Sequence, residues 1–180
     1  MRLNTIIKWF VLIGVICVVG LIPALSSAQS YESLKGVDSV KVIFDFRQGA
    51  SKSALAYLKL IKLTYNDKAI TKLAKKPEFA VVFMGKAVTL LSKERKGSSA
   101  DEAKRLEEIA NLIAAMAKQG VRFEICLFAA RHFGVSPQSI LPDIHQVDNG
   151  WIASAGAERD ASLRGRIHLT GDPERKGGRT

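Results

Sequence analysis

Residues 78–84 read EFAVVFM, with nothing polar after Glu78, and this run constrains the fold more than any other feature. A strand that is apolar at every position must be buried on both faces. Antiparallel sheets with one wet face alternate instead, so a continuous run points to a parallel sheet covered on both sides. Two further segments repeat the demand: SVKVIFDF at 39–46 contains a β-branched and aromatic run, and VRFEIC at 121–126 is a third strand. Between the first two strands, 54–69 place Leu55, Leu58, Ile61, Leu63 and Tyr65 at helical spacing with lysines between them. Between the second and third, Ser99 with Glu102 three residues on forms a capping box. Leu106, Ile109, Leu112, Ile113 and Met116 follow as an apolar stripe, and Gly120 stands where a C-terminal cap belongs. Strand–helix alternation of this kind predicts an α/β fold with a central, mainly parallel β-sheet of about five strands and helices on both faces.

The remaining segments fill in that plan. Residues 87–91 read as a short helix, KERKGSSAD as a charged connection, and 127–133 as a second short helix closed by Gly134. SPQSILPD carries two prolines and a single helical turn, 145–148 supply a fourth strand, and NGWIASAGAERDA is an ambiguous helix. LRGRIHL at 163–169 alternates: Leu163, Gly165, Ile167 and Leu169 share one side while Arg164, Arg166 and His168 share the other, the pattern of a half-exposed edge strand. Residues 171–180 have nothing to bury and read as a disordered basic tail. There is no internal repeat, so 29–170 are expected to form a single α/β domain.

The amino end has a different character. Arg2 and Lys8 precede an apolar run at 9–22 broken by Pro23, and Ser26, Ser27 and Ala28 are the small residues a signal peptidase reads. This is the layout of a secretory signal over residues 1–28, cleaved after Ala28, which places the chain in the periplasm. The alternative is a retained anchor, since the run is near the lower length for spanning a bilayer; membrane association is expected only in that case. Cleavage also removes Cys17 and leaves Cys126 as the one cysteine. A lone cysteine in an oxidising compartment is a thiol that pairs between chains, a reactive thiol or a buried one. Losing Arg2 and Lys8 leaves 25 basic against 17 acidic side chains, a net charge of +8. Much of it is lysine on helix faces (Lys52, Lys59, Lys62, Lys68, Lys72) without interleaved aromatics. For an exported chain this favours solubility and weak attraction to anions or anionic lipid over nucleic acid.

In open parallel sheets, ligands bind beyond the carboxyl ends of the strands. The first strand delivers Asp45, Phe46 and Arg47 to that edge, the second Met84, Gly85 and Lys86, the third Cys126, and the fourth Asn149, Gly150 and Trp151. Asp45, Arg47, Gly85, Lys86 and Asn149 are therefore candidate crevice residues. Cys126 falls at a strand-to-helix junction, where free backbone N–H groups and the helix dipole favour a thiolate. Burial as a small apolar residue is the competing reading, because Ile125, Leu127 and Phe128 surround it in sequence. His132, His145 and His168 show no metal-ligand spacing, and no metal or cofactor is expected. Asp45 and Glu124 are a candidate acid pair, with loop capping the plainer role for Asp45.

The segments KVIFDFRQGASKSALAYLKLI, EFAVVFMGKAVTLLS, GVRFEICLFAARHFGV and SILPDIHQVDNGWI, in this order, resemble the DsrE-like family of sulfur-relay proteins, and most nearly its exported, single-domain members. The resemblance spans roughly residues 38–156. It implies a compact α/β fold, assembly into homotrimers or homohexamers, and a cysteine that carries sulfur as a persulfide and passes it to a thiol-bearing acceptor protein. That cysteine corresponds to Cys126; no other catalytic residue is carried over. Under this reading the chain is a periplasmic sulfur carrier of the sulfurtransferase type. The alternative is a non-enzymatic homo-oligomeric binding or scaffold protein with Cys126 buried. The chain departs from the family after Ile152, where AGAERDASLRGRIHLTGDPERKGGRT is charged instead of apolar.

Overall fold

The computed structural model of the chain describes residues 31–94, 97–157 and 164–169. The expected signal segment and the expected basic tail lie outside the described residues. Five strands form one sheet: β1 (Lys41–Phe46), β2 (Glu78–Phe83), β3 (Arg122–Cys126), β4 (His145–Val147) and β5 (Arg164–Leu169). Their order is β4-β3-β2-β1-β5, and every neighbouring pair is parallel. The described helices are α1 (Ser51–Tyr65), α2 (Lys68–Thr71), α3 (Ala100–Gln119), α4 (Leu127–His132) and α5 (Gly150–Ala157). Short 3-10 segments occupy Gly85–Leu91 and Pro137–Ser139.

Alternation along the strands sorts the sheet into two unlike faces. Phe44 and Phe46 of β1, Phe79, Val81 and Phe83 of β2, and Phe123 and Ile125 of β3 share one face, all buried. Rings contact across the strands: Phe44 with Phe79 at 5.5 Å, Phe46 with Phe83 at 4.9 Å and Phe83 with Phe123 at 6.3 Å between centroids. Tyr65 of α1 meets Phe79 edge-on at 5.2 Å, which puts α1, and α3 packed against it, on this aromatic face. Each such buried ring contributes roughly 1.5–3 kcal/mol relative to exposure. The opposite face carries smaller and polar side chains: Asp45, Ala80, Val82, Met84, Glu124 and Cys126. Only α5 lies over it among the described helices whose packing partners fix a face, reaching across β1, β2 and β3.

Topology explains the division. From β1 to β4 each crossover steps one strand outward. The connection from β4 returns across the whole sheet to β5 beside β1. Right-handed crossovers running in opposite directions place their helices on opposite faces. The crossovers leaving β3 and β4, adjacent strands, therefore run in opposite directions across the sheet.

Local details differ from the sequence reading at two places. The first helix begins at Ser51, three residues earlier than expected, and stops at Tyr65; Asp67 then caps the separate α2 by accepting the Ala69 N–H at 2.7 Å. The capping box is only half formed. Ser99 accepts the Glu102 N–H at 3.2 Å, but the Glu102 carboxylate turns to the Ser51 hydroxyl at 2.7 Å and to Arg105 at 2.9 Å. That choice ties the amino ends of α1 and α3 together. As expected from the alternation, Arg164–Leu169 form a strand, and β5 pairs with β1 along its whole length at the edge of the sheet.

Candidate functional site

Cys126 is the last residue of β3 and sits between Met84, which continues β2, and Val147, its partner in β4. It is 4% exposed. Its backbone is extended, as a helix-capping residue's must be, but its side chain makes no capping bond to α4. The sulfur is instead directed to the far side of the crossover, where Sγ donates weakly to the Asp148 carbonyl oxygen at 3.9 Å. The same carbonyl accepts the Phe128 N–H at 3.1 Å. The expected thiolate-stabilising amide cradle of the following helix is thus not what the thiol meets.

Asn149 and Gly150 close the site from above. Asn149 Oδ1 accepts the Trp151 N–H at 2.9 Å, and its carbonyl oxygen accepts from Ile152 and Ala153, so Asn149 initiates α5 as its cap. Gly150 presses onto the sheet. A Cβ there would lie 2.8 Å from Met84 Cγ and Sδ and 3.0 Å from Cys126 Cβ. A side chain at 150 is therefore excluded while α5 keeps this approach. One turn along α5, Ser154 also faces inward and is buried. Its Oγ and Glu124 Oε2 are buried with no hydrogen-bond partner among the described residues. The large apolar residues of α5 point the other way: Trp151 is 56% and Ile152 70% exposed.

A second cluster occupies the β1 end of the same edge. Asp45 is buried and grips Arg47 through two parallel bonds, Nε to Oδ1 at 2.9 Å and Nη2 to Oδ2 at 3.0 Å. The Arg47 guanidinium lies 4.5 Å from the centroid of the Trp151 ring, within cation–π range. Arg47 thereby links β1 to the start of α5. Glu124 is held by Arg122 at 2.9 Å. Because Val82 separates Asp45 from Glu124 in the register, the two carboxylates do not form the acid pair considered from sequence, and each has its own arginine.

The structure therefore brings Cys126, Asn149 and the Met84–Gly85 turn together, with Asp45 and Arg47 joined to them through Trp151. Gly85 has φ +56, a conformation L side chains rarely adopt, which lets the chain turn from β2 into the 3-10 segment. Lys86 is exposed and lays its stem over Gly49 in the loop after β1. Sequence reasoning did not single out Trp151 as a partner of Arg47 or Ser154 as a buried hydroxyl. The usable signal was the small-residue pattern Gly150, Ser154, spaced four apart on a helix face. Among the described residues, no three His, Cys, Asp or Glu side chains are grouped so as to hold a metal ion.

The DsrE/DsrF-like family matches residues 41–163. No curated protein matches the chain. Among solved structures, a protein of unknown function from Methanobacterium thermoautotrophicum, MTH1491, is 16% identical with a TM-score of 0.54, over 71% of this chain and 99% of its own. The ychN protein from E. coli is 15% identical with a TM-score of 0.45, over 71% of this chain and 99% of its own. The first of these likenesses is one of fold.

Proposed function

Because the chain belongs to the DsrE/DsrF-like family, a family associated with sulfur relay, we propose that it is a sulfur carrier that holds a sulfane sulfur on Cys126. The observation that supports this most is how Cys126 is covered. The thiol lies between the carboxyl ends of β3 and β4, whose onward crossovers run in opposite directions, the usual place for a ligand crevice. Its cover, α5, meets the sheet through Gly150 and Ser154 while exposing Trp151 and Ile152. A helix that buries so little apolar surface is held weakly and lifts at low cost.

In the loading step, the Cys126 thiolate attacks the outer sulfur of a persulfide donor, RSSH. The donor's S–S bond breaks, a new S–S bond forms on Cys126, and the donor leaves as RS⁻, so no oxidant is required. Unloading repeats the exchange with an acceptor thiol as the attacking group. With Cys17 lost in the signal segment, Cys126 is the one cysteine left, so the acceptor thiol comes from another protein molecule or a small thiol. Burial protects the loaded sulfur from the oxidants of a periplasmic setting, where an exposed thiolate is readily over-oxidised. Assembly into a homo-oligomer over the exposed Phe128, Trp151 and Ile152 would add to that shelter; sedimentation at the monomer mass would remove this part of the reading.

One observation favours a second reading. A thiol 4% exposed and facing a backbone carbonyl is also what a scaffold protein with a packed cysteine presents. Maleimide labelling separates the two. The carrier labels at Cys126 in the native state, through opening of α5; after exposure to polysulfide the label sits on the outer sulfur and reductant releases it, whereas a label on the bare thiol is a thioether that reductant leaves in place. Labelling that occurs only with global unfolding identifies the scaffold.

A further inference from the structure

The outward side of α1 is unlike that of an ordinary surface helix. Lys52, Ala56, Lys59, Leu60 and Leu63 fall on one stripe and all are exposed. Leu60 is 56% and Leu63 69% exposed, while Leu55, Leu58, Ile61 and Tyr65 fill the core side. The two exposed leucines stand amid lysine. Residues 51–76 hold seven lysines, no arginine and a single acid, Asp67, giving +6 of the chain's +10. Asp67 is occupied in capping α2, and among the described residues Lys59 is the one lysine of this segment seen in an ion pair, with Glu108 at 2.6 Å. Lys68, Lys72, Lys75 and Lys76 extend the basic surface beyond the end of α1, all exposed.

We infer that this surface docks the protein on an anionic lipid bilayer, with Leu60 and Leu63 entering the acyl boundary and the surrounding lysines meeting the head groups. An apolar strip flanked by lysine is the pattern of an interfacial helix, and each basic residue near an anionic membrane adds to the attraction. Lysine is the residue suited to a diffuse field of head groups, whereas a specific acidic protein partner is better met by the arginine fork; residues 51–76 contain no arginine, and Arg105 beside Ser51 is held by Glu102. Placement in the fold agrees. Helix α1 runs back from the carboxyl ends of the strands, so its second half, α2 and Lys75–Lys76 lie toward the edge where the strands begin, away from Cys126. Docking through this surface leaves the thiol edge turned outward. The inference does not depend on what Cys126 does.

The test places a bimane label at position 60 of the full chain, as Leu60→Cys with Cys17→Ser and Cys126→Ser, beside a control label at Asp143→Cys. Because the apolar run at 9–22 can itself bind lipid, the readout is the environment of the label and not sedimentation. A blue shift at position 60 with phosphatidylglycerol vesicles, weaker with phosphatidylcholine vesicles, reversed by salt and absent at position 143, is the expected result. Adding Lys62→Gln, Lys68→Gln and Lys72→Gln should weaken the vesicle response roughly a hundredfold at low salt. No shift, an equal shift with neutral vesicles, or a shift with polyglutamate and none with vesicles would overturn the inference.

Discussion

Gly150 sets how closely α5 approaches Cys126, because the nearest side-chain atoms already sit 2.8–3.0 Å from where a Cβ would be. Met84 is flexible and can move; Cys126 Cβ is fixed to a strand and cannot. Gly150→Ala should therefore cost about 1 kcal/mol, the strain of overpacking less the entropic gain of removing a glycine. It should also raise the native-state labelling rate of Cys126, since the helix must stand off. Denaturant unfolding and labelling kinetics on the same variant check both, and an unchanged labelling rate would show that α5 is not the cover. At this scale the sequence was partly readable. Asp45, Arg47, Asn149 and Cys126 could be named because strand ends collect ligand residues. The direction of the thiol could not, because it depends on where the Asp148 carbonyl lies in a different crossover.

Helices and strands were more legible than their junctions. Continuous apolar runs located β1, β2 and β3, since burial on both faces leaves no other pattern. The 3.6 periodicity located α1 and α3. The break at Asn66 escaped because periodicity continues through it into α2, and only the Asp67 cap marks the restart. Ser99 and Glu102 were read as a capping box, but tertiary context redirected Glu102 to Ser51. The Ser51 hydroxyl and then Arg105 hold the Glu102 carboxyl below the ordinary carboxylate range. A depressed folded-state value means that this stabilisation is present above the unfolded value, about 4.3, and is lost as pH falls through the lower folded one. Glu102→Gln should thus lower stability by about 0.5–1 kcal/mol at neutral pH, a partly exposed pair being worth no more. The gap from the wild type should close as pH drops below about 4.3. Urea titrations at several pH values check this, and a pH-independent gap would mean that charge is not what links α1 to α3.

At the scale of the molecule, the described strands form an all-parallel sheet with one aromatic face and one small, polar face, and this asymmetry positions the chemistry. Five phenylalanines on one side anchor α1 and α3, while the opposite face is covered by α5, which buries a glycine and a serine against it. Fold class was visible in the sequence because strand–helix alternation with doubly buried strands admits few architectures. The family match ends at residue 163, yet the charged segment beyond it still supplies β5, because an edge strand needs backbone pairing more than an apolar sequence. The intact mass of the Cys17→Ala chain, before and after exposure to polysulfide and again after reductant, tests the central claim most directly. The account predicts the addition of one sulfur, removed by reductant and absent in Cys126→Ala. A chain whose mass does not change would contradict it and leave Cys126 as part of the packing beneath α5.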